Sequence, residues 1–256
     1  WDHAKNRCPT LKDRLVNHRL VWVGHVAGKR ENRRLIGDCI LTQNDIVTQA
    51  LFPDRVAYGG WVVDDHHSAG FFHKGTFGRH QDDRSQAAFG TQFAIPFRCL
   101  YSRNVDNLMM AGRNISATHL AMADTRVMMT TALMGHAAGT AAGLCKQFQV
   151  LPRELAQKHI ALLQQQLLKE GAYLIDLPAE DPRDLARRAK ASASSEGRDG
   201  EQVLSAGNVT DGYGRAEGTR LHAWAPASDA TGPHWVQLAW ERCVAFNVVH
   251  VNFQTA

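Results

Sequence analysis

"NLMMAGRNISATH", Asn107 to His119, decides how this chain is read. A short apolar run, Leu108 to Ala111, stops at Gly112, and a polar Arg-Asn-Ile-Ser loop follows before the sequence turns apolar again. By length and flanks the run predicts a buried strand over Asn107–Ala111. Downstream, "TRVMMTTALMGHAAGTAAGLCKQF" predicts a helix, with Asp124 or Thr125 as N-cap and cationic Lys146 near its end. Open α/β sheets bind ligands at the carboxyl ends of strands, and helix N-termini offer free N–H groups to anions and polarised oxygens. The order strand, loop, helix therefore fits a cofactor site, and it fits an ordinary connection equally well.

The helix carries Gly135, Gly139 and Gly143 with Ala138 and Ala142 at helical spacing. Each internal glycine costs ~1 kcal/mol relative to alanine, so the repetition predicts a close approach by another element. Arg126, His136 and Lys146 interrupt any charge-free stretch of the ~20 residues a membrane span needs. A helix buried inside a layered α/β domain is the expectation.

Working outward, "GKRENRRLIGDCILTQNDI", Gly28 to Ile46, predicts a short strand at "CILT" and a helix start with Thr42 as N-cap and Asp45 three residues on. The rest of Trp1 to Cys99, including the apolar run Leu20 to Val26, reads as strands and loops. After the central helix, "PRELAQKHIALLQQQLLKEG" predicts an amphipathic helix. It has Pro152 in its first turn, Leu155, Ile160, Leu163 and Leu167 on one side, and Gly171 as its stop. Residues 179–190 have linker composition, with a boundary near Asp184 to Lys190. From 191 to 256 the texture is all-β, in "SASSEG", "NVTDG", "HWVQLAW" and "VAFNVVHVNF". That is too short for a β-sandwich of the usual ~100 residues, so a truncated sandwich is expected.

Composition narrows the function classes. With 44% hydrophobic and 21% charged residues the chain is globular rather than disordered. The net charge of +4 is spread along the chain rather than gathered in a stripe with aromatics, which argues against nucleic-acid binding. Five cysteines at wide spacing form no CxxC pair of the zinc, iron–sulfur or thioredoxin-like kind. The chain opens on Trp1 with no leader, and it ends within or just after a strand-like run, so truncation at both ends is expected.

The stretch from Asn107 to Leu144 resembles the C-terminal flavin-binding segment of FAD-dependent oxidoreductases grouped with heterodisulfide reductase-like flavoproteins. "WDHAKN", "GKRENRRLIGDCILTQNDI", "FPDRVAYGGWVVDDHH" and "IPFRCLYSRNVDNLMMAGR" resemble further motifs of that family in the same order, so the likeness spans roughly Trp1 to Leu174. The resemblance implies a partial FAD-binding, Rossmann-like α/β domain with mixed substrate-domain strands over 1–178. It implies FAD as cofactor and hydride transfer from a small organic substrate. Ala111, Gly112, Arg113, Asn114, Ile115 and Ser116 would line the cofactor, while Met129, Thr130 and Thr131 would form a helix start facing the flavin pyrimidine edge, where reduced flavin carries negative charge. Many flavoproteins place an acidic residue after this glycine; Arg113 stands there instead, and its guanidinium is suited to phosphate or substrate.

No G-x-G-x-x-G follows a strand anywhere in the chain. The element that holds the FAD pyrophosphate lies N-terminal of "WDHAKN" in the family, so the N-terminal FAD-binding half is expected to be missing. "GKRENRR" reads by itself as a solvated charge run. By resemblance it lies near the active centre, which makes Arg33 a catalytic candidate and Arg30 a substrate-binding one. "VVDDHHSAG" reads as a turn with solvent-facing histidines, or as a source of a base for alcohol oxidation. Asp64 and His66 match the family pattern best, as substrate ligand and catalytic base. His119 is weighed equally as a structural and a catalytic histidine, and His136 as structural.

Residues from 191 resemble the start of a discoidin-like, F5/8 type C sandwich, through "NVTDG", Trp224 and "HWVQLAW". Such modules often bind glycans through loop aromatics, which makes a sugar or glycoside a candidate substrate and an extracytoplasmic location the one the resemblance favours. Two other readings stay open: electron transfer with an iron–sulfur partner, and a non-catalytic glycan-binding fragment.

Overall fold

The structure, a computed structural model, describes residues 1–25, 33–62 and 92–253. It contains two compact units, Trp1–Asn32 and Arg33–Ala256. In the first, a π-helical turn His3–Arg7 and helix α1 (Lys12–Leu15) are tied by Lys5, whose ammonium donates to the carbonyls of Leu15 and Val16 at 3.3 and 3.2 Å. The apolar run from Leu20 forms no strand over its described residues, and its large side chains Val21 and Trp22 are exposed.

In the second unit, α2 (Gln43–Val47) begins where the sequence places it. The Thr42 hydroxyl accepts from the Asp45 N–H at 3.3 Å, and the Asp45 carboxylate accepts from the Thr42 N–H at 2.8 Å. This reciprocal cap satisfies two N–H groups that a helix start leaves without partners. Strands β1 (Arg55–Gly59) and β2 (Phe93–Pro96) pair antiparallel, with a register shift between Arg55 and Ala57. The pair is buried against α4 (Met128–Phe148) and α6 (Ile160–Lys169). Phe93, Ile95, Leu163 and Leu167 are all at most 1% exposed there, and burying a side chain of that size stabilises by about 1.5–3 kcal/mol.

Several expectations are corrected. Asn107–Ala111 is not a strand: Met109 makes one antiparallel bridge to Tyr101, flanked by Ser102 N–H to Leu108 O at 2.9 Å and Met110 N–H to Leu100 O at 2.8 Å. Its neighbour has just left a 3-10 turn, Phe97–Cys99, and offers little extended backbone. "CILT" likewise contributes one parallel bridge, Leu41 to Ala117. The central helix starts at Met128 with Val127 as N-cap, because a separate helix, α3 (His119–Thr125), takes up the residues expected to cap it. Nor is the central helix buried all round: it buries Thr130, Met134, Ala137 and Ala141 on one face. Its glycines face the other way, where a Cβ at Gly135, Gly139 or Gly143 would meet nothing within 4 Å. The stretch after it is two helices, α5 (Pro152–Lys158) and α6, broken at His159, whose φ of −134° and ψ of 18° leave the helical region. Pro152 stands at the first turn of α5, and Gly171 ends α6 with φ +86°, where glycine carries no Cβ penalty.

Residues 179–190 are held on both sides. Ala179 N–H donates to Gly212 O at 2.8 Å, and the Trp240 indole donates to Leu185 O at 2.8 Å. Beyond them, β3 (Lys190–Ala193) pairs with β6 (Val236–Ala239), and β4 (Gly197–Asp199) forms a hairpin with β5 (Gln202–Leu204). "NVTDG" lies in a 3-10 turn and the bend after it, and "VAFNVVHVNF" forms no strand, with Phe246, Val249 and Phe253 exposed. These are small antiparallel sheets of two strands each, among the described residues. No helix among the described residues is long and apolar enough to cross a membrane.

Candidate functional site

The loop after Ala111 is threaded between two segments that hold it from either side. Leu35 N–H donates to Asn114 O at 3.0 Å, Ser116 N–H donates to Cys99 O at 3.1 Å, and Leu41 N–H donates to Ser116 O at 3.0 Å. Thr118 N–H closes the set on Leu41 O at 2.9 Å. Gly112 has φ +101°, a conformation that L side chains rarely adopt, so glycine is the residue that lets the chain turn there. Gly37 has a different reason: a Cβ there would collide with Arg98 O and reach within 3.0 Å of Tyr101 O.

Two ion pairs brace the flanking segments. Arg98 grips Asp54 through two side-chain bonds of 3.0 Å, and its backbone N–H adds a third of 3.0 Å. Arg153 makes a bidentate pair with Asp38 at 2.7 and 2.9 Å, and the Tyr101 hydroxyl donates to the same carboxylate at 3.0 Å. The Arg153 guanidinium holds the Asp38 carboxyl below its ordinary range. Burial, and then the hydrogen bond to Asp38, push the Tyr101 phenol well above its ordinary value, so it acts as a donor throughout the working range of pH.

The structure separates the sequence-predicted residues into three groups. Ala111 and Gly112 are half-buried, Arg113 and Asn114 are exposed, and Ile115 and Ser116 turn inward. Ile115 is a core side chain at 0% exposure, so its main chain is what it can offer a ligand. At the start of α4, Met129 is exposed, Thr130 is buried and Thr131 half-buried. Thr131 N–H reaches back to Val127 O at 3.0 Å, and the N–H groups ahead of it form the first turn, whose partners must come from outside the helix. Arg33 is exposed on the segment that runs beside Asn114. His119 lines an open cleft of about 350 Å³ with Thr42, Gln43, Asn44, Thr118 and Leu120. Arg30, Asp64 and His66 lie outside the described residues. His136 is half-buried and hydrogen-bonded to Glu170 at 2.6 Å.

Sequence reasoning missed Asp124 as anything but a cap. It is 0% exposed, and neither carboxylate oxygen has a hydrogen-bond partner. Burial alone pushes its carboxyl up to about 7. The Ser116 hydroxyl is buried and equally unpartnered. The available signal was an acid inside "LAMADTRVMM", an apolar setting that solvates a carboxylate poorly. Orphaned donors and acceptors of this kind fit a ligand rich in hydroxyl and amide groups, as the ribityl chain and ring of FAD are. Among the described residues, no group of three or more His, Cys, Asp or Glu side chains is arranged to hold a metal ion.

No curated protein and no solved structure matches the chain. A family model described as FAD dependent oxidoreductase matches residues 5–167, which include the loop, α3, α4 and both bracing ion pairs. That family implies a Rossmann-like α/β domain and FAD as cofactor. The chain belongs to the FAD-dependent oxidoreductase family.

Proposed function

We propose that Ala111–Ser116 and the start of α4 form one wall of the flavin site, and that a small organic substrate delivers a hydride there. The observation that carries this reading is the pair of buried polar side chains without partners, the Ser116 hydroxyl and the Asp124 carboxylate. Each costs about 1–3 kcal/mol while unsatisfied, and a ligand that hydrogen-bonds them removes that cost. FAD, when bound, supplies the hydride acceptor. Ser116 and Asp124 would hold it through hydrogen bonds, and the first-turn N–H groups of α4 would favour negative charge near it. Arg33 orients the substrate, and a histidine, His119 in the cleft beside α2, takes the hydroxyl proton of an alcohol substrate. By the family resemblance, the same proposal takes Arg30 and Asp64 as substrate-binding residues and His66 as a catalytic base.

Within the family, the chain is proposed to lie with the heterodisulfide reductase-like flavoproteins, and residues 191–256 to be a discoidin-like accessory module. A sugar or glycoside alcohol is then the substrate class to try first. The test is FAD titration of the purified protein, followed by visible flavin absorbance, alongside Ser116→Ala and Asp124→Ala. Each substitution is expected to weaken FAD about tenfold, the equivalent of one lost hydrogen bond of ~1.4 kcal/mol. Unchanged affinity in both variants refutes this placement of the cofactor.

A further inference from the structure

Two cysteines outside the proposed flavin contacts sit on the two segments that clamp Ser116. Cys39 N–H donates to Arg98 O at 3.3 Å, and the Cys99 thiol donates to Cys39 O at 3.4 Å. These bonds make Cys39 and Cys99 neighbours across adjacent backbones, and both are free thiols. Cys99 is 0% exposed, while Cys39 is half-buried and reachable from solvent. The same two segments carry the bonds that fix the loop, Ser116 N–H to Cys99 O at 3.1 Å and Leu41 N–H to Ser116 O at 3.0 Å.

We propose that Cys39 and Cys99 form a reversible disulfide by exchange with a low-molecular-weight disulfide such as oxidised glutathione, and that this bond clamps the Ser116 loop. Cys39 is the attacking sulfur and Cys99 the resolving one. The Cys39 thiolate attacks one sulfur of the small disulfide, the S–S bond breaks, and one thiolate leaves. The Cys99 sulfur, losing its proton, then attacks Cys39, and the second small thiol departs. One disulfide is consumed and one is formed, two thiols of the protein are oxidised, and two small thiols are released. The division of roles follows from the surroundings. The adjacent Cys99 thiol and the Arg98 guanidinium lower the Cys39 thiol against its own burial and the charges of Asp54 and Asp45, which makes Cys39 the sulfur of the two that ionises first. The neighbouring Cys39 sulfur and burial both raise Cys99, and capping Cys39 removes the first of these while leaving Cys99 held beside it. A bond here would join two segments that at present meet only through hydrogen bonds and packing. Closing so long a loop is expected to raise the thermal midpoint by roughly 5 °C.

The experiment uses the full chain with Cys8→Ser and Cys243→Ser, which leaves Cys39, Cys99 and Cys145. After incubation with oxidised glutathione, free thiols are alkylated and peptides are mapped by mass spectrometry, and amide hydrogen exchange is compared before and after. The expected product is a peptide pair linked through Cys39 and Cys99, with Cys145 alkylated, slower exchange at the Ser116 and Leu41 amides, and full reversal by dithiothreitol. In Cys99→Ala the reaction is expected to stop at a glutathione adduct on Cys39, and in Cys39→Ser, Cys99 is expected to stay a thiol. A persistent glutathione adduct on Cys39 in the parent protein, or two unreacted thiols in folded protein, overturns the exchange. A linked pair with unchanged exchange at Ser116 overturns the clamp.

Discussion

Replacing Asp124 by Asn should remove a specific part of the protein's pH dependence. The Asp124 carboxyl is raised from 3.8 to about 7 because it is buried with neither oxygen hydrogen-bonded. In the folded protein it is therefore neutral over a range in which the unfolded chain carries the charge. The folded state holds the proton more tightly, so stability from this group is highest below about pH 4, falls as pH rises towards 7, and then levels off. At ~1.4 kcal/mol per pH unit, the interval between the two values sets a ceiling of about 4 kcal/mol on the loss. Relaxation of the site and water entry are expected to reduce the observed loss to about 1–3 kcal/mol. Urea unfolding of wild type and Asp124→Asn at about pH 4, 5.5 and 7.5 isolates the contribution, since every other titrating group is common to both proteins. The difference in unfolding free energy should move in favour of the Asn variant as pH rises. Parallel pH profiles for the two proteins would refute the argument, because they would mean that Asp124 ionises alike in the folded and unfolded states.

Gly37→Ala should destabilise by about 2–4 kcal/mol, since a methyl group there meets two backbone carbonyls and neither belongs to a side chain that can move aside; thermal unfolding measures it, and a loss below ~1 kcal/mol would contradict the close packing. A double-mutant cycle of Asp38→Asn and Arg153→Met should give a coupling of about 0.5–1.5 kcal/mol, modest because both side chains are partly exposed. Stability in urea is the readout, and zero coupling would leave the Tyr101 hydroxyl as the only useful partner of Asp38.

What the sequence made legible was local. The Thr42 and Asp45 cap, Pro152 at a first turn and Gly171 at a helix end are decided within a few residues of chain, and each stands where expected. The central helix was legible from length and composition alone. Strands were legible unevenly: Val236–Ala239 forms inside "HWVQLAW" as expected, but others failed because pairing depends on a partner far away in sequence. Leu108 to Ala111 has the composition of a buried strand, yet the backbone opposite it turns at Phe97–Cys99 and allows a single bridge. "VAFNVVHVNF" alternates well and still has no partner strand among the described residues.

Asp124 shows why the site was harder to read than its frame. Beside Thr125 and ahead of an apolar run, an aspartate has the local chemistry of an N-cap. The residues before it, from His119, instead form a helix of their own, so Asp124 falls in the last turn of α3 and helix α4 must start without a side-chain cap. An ionised carboxylate at a helix C-terminus would be unfavourable with the macrodipole, and here the group is buried without a partner, which holds it in its neutral form. Local propensity, electrostatics and desolvation therefore all count against this residue where it stands. Conflicts of that kind gather at functional sites, where a ligand supplies the missing interaction. The burden is concentrated on the segment between the Gly112 turn and the α4 start, while the bracing pairs Arg98–Asp54 and Arg153–Asp38 are well satisfied. Asp124 thus carries an unsatisfied burden that the Arg98–Asp54 and Arg153–Asp38 pairs do not, which is why the proposed flavin contacts include it.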